Sequence, residues 1–178
     1  ETKPPVKQSR EEMLSELFIA LMLKFPSLAE YAINHIQPDQ VAGLPNQSLY
    51  RNIIIYYNNL IDIWTQEGGQ AEPPQVSYGG FKIWLENSEV QENKDGQLIL
   101  LDKLALLGDK DFFDFEIEQA KNEIIKIAVI LKKHYLLDRR KEINKLIAQA
   151  EEEGNEEYIK SLMEEFKQLT DEIGEVGN

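Results

Sequence analysis

The sequence predicts an all-α protein: a helical bundle, then a long helix, and finally a C-terminal antiparallel helical hairpin. Apolar residues recur every three or four positions through most of the chain, which is the period of an amphipathic helix. Serine–glutamate capping pairs precede several of these segments, and glycine or proline follows them. We therefore divide the chain into a linker remnant at 1–8, a bundle at 9–137 and a hairpin at 138–178.

The first two helices are predicted from capping pairs. Ser9 and Glu12 form a capping-box pattern, and Pro26 stops the helix that follows because proline cannot supply an amide to the helical ladder. This helix is apolar nearly all round, so we expect it at the centre of the core. Ser27 and Glu30 repeat the capping pattern and predict a second, short helix.

A third helix is predicted over 47–65. Its run of Ile and Tyr at 53–57 also has high strand propensity, but the flanking apolar residues keep a period near 3.6 and favour a helix. A Gly- and Pro-containing loop at 67–76 follows. Between the second and third helices, Pro and Gly residues predict a turn region, with one helical turn at 39–42.

The central part of the chain predicts several shorter helices. Apolar residues mark one at 81–85, and Ser88 with Gln91 predicts the start of another. A compact apolar helix over 98–107 should end at Gly108, since glycine is favoured just after a helix.

From 111 to 153 the helical pattern continues without Pro or Gly. Apolar density falls after residue 137, and Asp138 is a candidate N-cap, so we expect a kink or hinge near 134–138. Gly154 and Asn155 then predict a turn, and a last helix is predicted over 156–173.

The last two helical segments predict a two-helix seam. In the last helix the seam residues step by four, four, three and four; they are Tyr158, Leu162, Phe166, Leu169 and Ile173. The residues predicted to face them are Leu136, Ile143, Ile147 and Ala150. Leu146, Ile159 and Met163 fall beside the seam, so they either pack back on the bundle or bind another protein.

Composition excludes several functions. The chain has 178 residues, 19 basic and 32 acidic side chains, a net charge of −13 and no cysteine. Thiol catalysis, thiolate metal sites and disulfides are therefore excluded, and broad binding to a nucleic-acid backbone is disfavoured. No apolar run is long enough to cross a bilayer, so we expect a soluble protein. The absence of cysteine fits a reducing compartment, so we expect it in the cytoplasm. Because residues 1–8 are polar, contain proline and lack an initiating Met, we interpret the chain as a fragment of a larger protein.

Catalytic motifs are also missing. A di-iron bundle requires a glutamate three positions before each of two histidines. Neither His35 nor His134 has a glutamate at that position. Hydrolase elbows, phosphate-binding loops and a complete calcium loop do not occur. The segment 132–145 holds six basic and two acidic side chains. It is interpreted either as a solvated helix face or as a contact for an acidic partner or nucleic acid.

Two stretches of the sequence carry a family resemblance. The opening REEMLSELFIALMLKFPSLAEY and the ending RRKEINKLIAQAEEEGNEEYIKSLMEEFKQLTDEI resemble the C-terminal helicase-binding domain of bacterial DNA primase. The resemblance implies a bundle followed by a projecting hairpin, and a role in docking primase on the N-terminal domains of the hexameric replicative helicase. The helicase's own N-terminal domain has a similar fold and is the nearest alternative. A self-associating structural bundle is a further one.

The resemblance also implies what this chain lacks and which residues bind its partner. The family uses zinc and magnesium in domains that precede this region, so we expect no cofactor and no primer synthesis from this chain. From the net charge and the lack of a long apolar run we also expect no direct nucleic-acid binding and no membrane contact. We expect a monomer when the chain is alone. The predicted partner-binding residues are Ile143, Leu146, Tyr158, Ile159, Leu162, Met163, Phe166 and Leu169, with Arg139, Arg140 and Lys145 as rim charges. Some of these apolar residues must form the hairpin core.

Overall fold

A computed structural model describes residues 7–70, 72–89 and 93–176. Across these residues the chain is helical and contains no strand, so the predicted all-α class is confirmed. The helices are α1 (Arg10–Lys24), α2 (Ala29–His35), α3 (Leu44–Gln66), α4 (Tyr78–Asn87), α5 (Lys94–Asp111), α6 (Ile117–Glu153) and α7 (Glu156–Glu175). Short 3-10 turns lie at Pro26–Leu28 and Pro38–Gln40. Among the described helices, none is both long and apolar enough to cross a membrane.

The chain divides into two compact units, an N-terminal unit up to Ala128 and a C-terminal unit from Val129. The division falls inside α6, whereas the predicted boundary at 137/138 lies further along the same helix. Most of the predicted linker remnant lies outside the described residues, which begin at residue 7.

Helix α1 begins as predicted and lies at the centre of the N-terminal unit. The Ser9 hydroxyl accepts a hydrogen bond from the Glu12 amide at 3.1 Å, and the Glu12 carboxylate accepts one from the Ser9 amide at 2.8 Å. Every residue from Phe18 to Leu23 is buried. A helix buried on all sides needs apolar residues all round, as its sequence shows.

The second predicted capping pair is wrong. Pro26 opens a 3-10 turn that includes Ser27, and α2 starts only at Ala29 with Leu28 as its N-cap and no side-chain cap. Proline's fixed φ suits the first position of a helical turn. Ser27 therefore takes helical geometry, whereas a capping serine needs the extended backbone of an N-cap. The helical turn predicted at 39–42 is the 3-10 turn at Pro38–Gln40.

Helix α3 includes the 53–57 run, so the strand alternative is not realised. The helix begins three residues before the predicted start, with Gly43 at its N-cap (φ 86°) and Pro45 in its first turn. Proline is favoured at that position because its missing amide would have no partner there. The buried Tyr50 hydroxyl donates to the Ile36 carbonyl at 3.0 Å, which ties α3 to the end of α2.

Ser88 ends a helix instead of starting one. Ser77 caps α4 by accepting from the Gly80 amide at 3.1 Å, and Ser88 is the C-cap, with extended backbone and a hydroxyl that donates to the Leu85 carbonyl at 2.9 Å. The start predicted at Ser88 is therefore wrong. Its predicted capping partner, Gln91, lies outside the described residues.

Gly108 lies inside α5, so the predicted stop at this residue is wrong. A Cβ atom at position 108 would lie 2.9 Å from the Ala20 carbonyl oxygen of α1. The glycine therefore permits close approach of two helix backbones and does not act as a C-cap. The helical segment predicted from residue 111 begins later than expected, because α5 ends at Asp111 and α6 begins only at Ile117.

Within α6 the helix continues through Asp138, which is therefore not the predicted N-cap. Its carboxylate instead accepts a hydrogen bond from Lys141 at 3.0 Å, one turn further along. An aspartate on a helix surface can form an ion pair with a basic residue three positions further along. The presence of an aspartate therefore does not by itself require a new helix start.

Substitution of Gly108 by alanine is expected to destabilise the N-terminal unit. The new methyl group would meet backbone, which cannot move aside as a flexible side chain can. We expect a loss of about 1–3 kcal/mol in the free energy of unfolding, measured by urea titration. Gly79→Ala is the control, since nothing lies within 4 Å of a Cβ atom there. Equal stability of the two variants would contradict the close α1–α5 packing.

Candidate partner-binding surface

A tight turn joins α6 to α7 in the C-terminal unit. Gly154 has a left-handed backbone (φ 68°), which glycine adopts without a steric penalty. The Asn155 amide donates to the Ala150 carbonyl at 3.0 Å, and the Asn155 side chain accepts from the Tyr158 amide at 3.2 Å. The turn predicted at Gly154 and Asn155 is confirmed, and Asn155 also caps α7.

A small apolar cluster packs the end of α6 against α7. Its buried members are Leu136, Ile143, Ala150, Leu162 and Leu169. Partly buried residues around it are Tyr135, Leu146, Ile147, Ile159, Phe166, Ile173 and Val176. All four predicted α6 seam residues belong to this cluster. Complete burial of one leucine or isoleucine side chain contributes about 1.5–3 kcal/mol, so five buried side chains are a modest core.

The structure sorts the predicted partner-binding residues by exposure. Ile143, Leu162 and Leu169 are buried inside the cluster. In the folded chain they hold the unit together and present no surface to a partner. Leu146, Ile159 and Phe166 are partly buried against the same cluster. Tyr158 and Met163 are exposed, at 43% and 60% of their surface.

Tyr158 is not a seam residue. It is exposed, and the adjacent Ile159 packs against the cluster instead. One residue along an α-helix turns by about 100°, so neighbouring positions can border the two sides of one buried stripe. The sequence pattern placed a seam residue four positions before Leu162, at Tyr158. In the structure the residue that packs against the cluster is Ile159, three positions before Leu162.

Three apolar residues of α7 share one side of the helix. Ile159, Met163 and Phe166 are spaced four and three apart, which places them in a row. We define these three residues as the α7 apolar face. Its middle residue is the most exposed of the three, and its outer two are held by the cluster. This arrangement is typical of helices that bind a groove in a partner.

Arg139 is engaged within its own unit. Its guanidinium donates to Glu142 at 2.8 Å and to Glu165 of α7 at 2.8 Å. These hydrogen bonds, to Glu142 and then to Glu165, raise the pKa of Arg139 above its ordinary value. Arg139 therefore links α6 to α7, which sequence reasoning missed because it paired only apolar residues across the turn.

The remaining predicted rim charges, Arg140 and Lys145, have no carboxylate within ion-pair distance among the described residues. Other charges of the basic segment 132–145 are partly neutralised. Lys141 pairs with Asp138 at 3.0 Å, and His134 lies 3.4 Å from the same carboxylate. Four cations of the segment, Lys132, Lys133, Arg140 and Lys145, have no ion pair among the described residues. Because Asp138 and Glu142 neutralise the middle of the segment, it resembles a solvated helix face more than a continuous basic patch.

The described residues contain no cluster of three or more His, Asp or Glu side chains that could hold a metal ion. His35 has a local partner, because its Nδ1 lies 2.7 Å from the Tyr31 carbonyl and its ring stacks on the Tyr31 ring at 4.0 Å. These two contacts at the end of α2 give His35 a structural role.

Comparisons with family models, with curated proteins and with solved structures find no match for this chain.

Proposed function

We propose that this chain is the helicase-interaction domain of a bacterial replicative DNA primase. In this proposal it docks primase on the N-terminal domains of the hexameric replicative helicase and so couples primer synthesis to unwinding. The observation that carries the proposal is the α7 apolar face, in which exposed Met163 lies between two anchored apolar residues. The resemblance of the opening and closing segments to the primase domain supplies the partner.

Rigid support makes this face suited to binding. Ile159 and Phe166 pack against the apolar cluster, and the Arg139–Glu165 ion pair connects α6 to α7. A surface that is already ordered loses little conformational entropy when a partner binds. Methionine adds an unbranched, polarisable side chain that adapts to the shape of a pocket.

The flanking charges add steering. Arg140 and Lys145 have no ion-pair partner in the described chain, so their field is not cancelled locally. Rim charges of this kind mainly change the association rate and its salt dependence. In this proposal they attract an acidic border around the apolar groove of the helicase.

The proposal is tested by isothermal titration calorimetry of this chain against the replicative helicase of the same bacterium. Saturable binding is expected with the whole helicase and is expected to vanish with helicase that lacks its N-terminal domains. Absence of binding to the whole helicase at micromolar concentrations would overturn the proposal. Light scattering on the chain alone tests the alternative of self-association, which predicts a stable dimer that loses Met163 exposure.

The helicase contact is also expected to extend across the buried stripe to Tyr158, so Tyr158→Ala should weaken helicase binding several-fold while the melting temperature stays unchanged. The side chain is 43% exposed and lies beside the cluster, so its removal leaves no enclosed cavity. Calorimetric titration and a thermal melt on the same sample measure the two effects. Glu157→Ala, at the neighbouring exposed position, is the control. A large drop in melting temperature for Tyr158→Ala would place the ring in the core.

A further inference from the structure

The connection between α5 and α6, residues 112–116, is held firmly by backbone hydrogen bonds. The Phe112 amide donates to the Gly108 carbonyl at 3.1 Å, and the Phe115 amide donates to the Phe112 carbonyl at 3.3 Å. The Glu116 amide donates to the Gln119 side chain at 2.8 Å. The connection therefore has a defined shape although it lies at the surface.

Its aromatic residues are divided between the core and the surface. Phe112 is 6% exposed, and its ring meets the Phe115 ring edge to face at 5.0 Å. The adjacent Phe113 is 75% exposed, and Ile117, four residues further along the chain, is 47% exposed. A phenylalanine this exposed, beside a buried aromatic pair, resembles the aromatic anchors of protein interfaces.

The surrounding charge is acidic and uncompensated. Asp114, Glu116 and Glu118 are exposed, and no basic side chain of the described residues lies within ion-pair distance of them. The nearby Lys121 is placed over the Tyr31 ring, 5.8 Å from its centre. The dipole of α6 favours acids at its start, but it gives no reason for the exposed Phe113 and Ile117.

We propose that residues 111–118 form a docking element for a second protein, one that presents an apolar pocket with a lysine- and arginine-rich rim. Phe113 enters the pocket, and the three carboxylates meet the rim. Charge complementarity selects this partner, because the same carboxylates repel a nucleic-acid backbone or an acidic surface. This contact uses residues of the N-terminal unit only and does not depend on the helicase.

The tip of the C-terminal unit provides an internal comparison. Residues 151–157 contain five exposed glutamates, and Tyr158 follows them. The tip therefore has similar charge but a smaller exposed aromatic surface than the α5–α6 connection. A cationic ligand that recognises charge alone should bind both places, whereas one that needs an aromatic anchor should prefer the connection.

The test uses two designed amphipathic helical peptides, one of leucine and lysine and one of leucine and glutamate. Each is titrated into the ¹⁵N-labelled full chain and followed by backbone NMR. The leucine–lysine peptide is expected to shift the amide signals of 111–118 at lower concentration than those of 151–157. The leucine–glutamate peptide is expected to shift neither set.

Two variants check the parts of the element. Phe113→Ala is expected to weaken binding of the leucine–lysine peptide about tenfold or more, as loss of an interface anchor does. The double variant Asp114→Lys, Glu116→Lys is expected to lose that peptide and to gain the leucine–glutamate peptide. Leu106→Ala, at a 71% exposed position of α5, is the control and should leave binding unchanged.

The proposal is overturned if Phe113→Ala binds the lysine peptide as tightly as the unaltered chain, or if the peptide prefers 151–157. A Phe113-dependent dimer in sedimentation equilibrium would also overturn it, because the occupant would then be a second copy of this chain. Thermal melts confirm that each variant is folded, which is expected since the substituted side chains are exposed.

Discussion

Leu162→Ala is expected to destabilise the C-terminal unit by about 2–4 kcal/mol. Leu162 is 3% exposed and is one of only five buried members of the cluster that joins α6 to α7. So small a core has little other apolar surface to compensate for the lost side chain. The amides of α7 are expected to lose protection in hydrogen exchange, while those of α1 keep theirs, since exchange reports local stability.

The control for this variant is the next residue along the chain. Met163→Ala removes a side chain of similar size that is 60% exposed, so hydrogen exchange in α7 should stay close to that of the unaltered chain. Equal loss of protection in both variants would mean that Leu162 does not hold α7. Unchanged protection in Leu162→Ala would carry the same conclusion.

Met163→Asp is expected to affect binding and to leave stability unchanged, in contrast to Leu162→Ala. It is expected to reduce affinity for the replicative helicase by about a hundredfold while the melting temperature stays within a degree or two. In the complex, an aspartate at the centre of the α7 apolar face would be buried without a partner, which costs several kcal/mol. In the free chain the same position is open to water, so folding is little affected.

A matched substitution isolates the effect of position. Met13 of α1 is 48% exposed, so Met13→Asp introduces the same charge at a similarly exposed methionine in the other unit. Calorimetric titration should show unaltered helicase affinity for this control. Comparable losses for the two variants would indicate a general charge effect and would contradict docking through α7.

The helical class could be predicted because local patterns determine it. The Ser9–Glu12 capping box and the Gly154–Asn155 turn depend on residues three or four positions apart, so they could be recognised from the chain itself. The period of 3.6 also resolved the 53–57 run, where strand propensity competed with the helical pattern.

Errors arose where a distant contact or a competing local preference decided the structure. Gly108 looks like a helix stop, but the approach of α1 makes glycine necessary inside α5. Pro26 starts a 3-10 turn that includes Ser27, so Ser27 does not occupy the N-cap position of α2. Glycine and proline both favour helix ends on average. A single sequence does not show where close packing of another helix, or a neighbouring 3-10 turn, overrides that preference.

Sequence periodicity placed the candidate residues on α6 and α7, but it could not divide them into core and surface. Tyr158 and Ile159 border the same buried stripe, and only the packing of the cluster shows that Ile159 is the inner one. The Arg139–Glu165 bridge also depends on how the two helices are paired across the turn.

In the proposed complex Met163 becomes covered by the helicase, and methionine oxidation tests this directly. The chain has three methionines: Met163 and Met13 are exposed, and Met22 is buried. Their rates of sulfoxide formation in dilute peroxide, with and without helicase, can be followed by mass spectrometry, since exposure governs susceptibility. We predict strong protection of Met163, an unchanged rate at Met13 and slow oxidation of Met22 throughout. Protection of Met13 with none at Met163, in a sample where helicase is bound, would contradict the account.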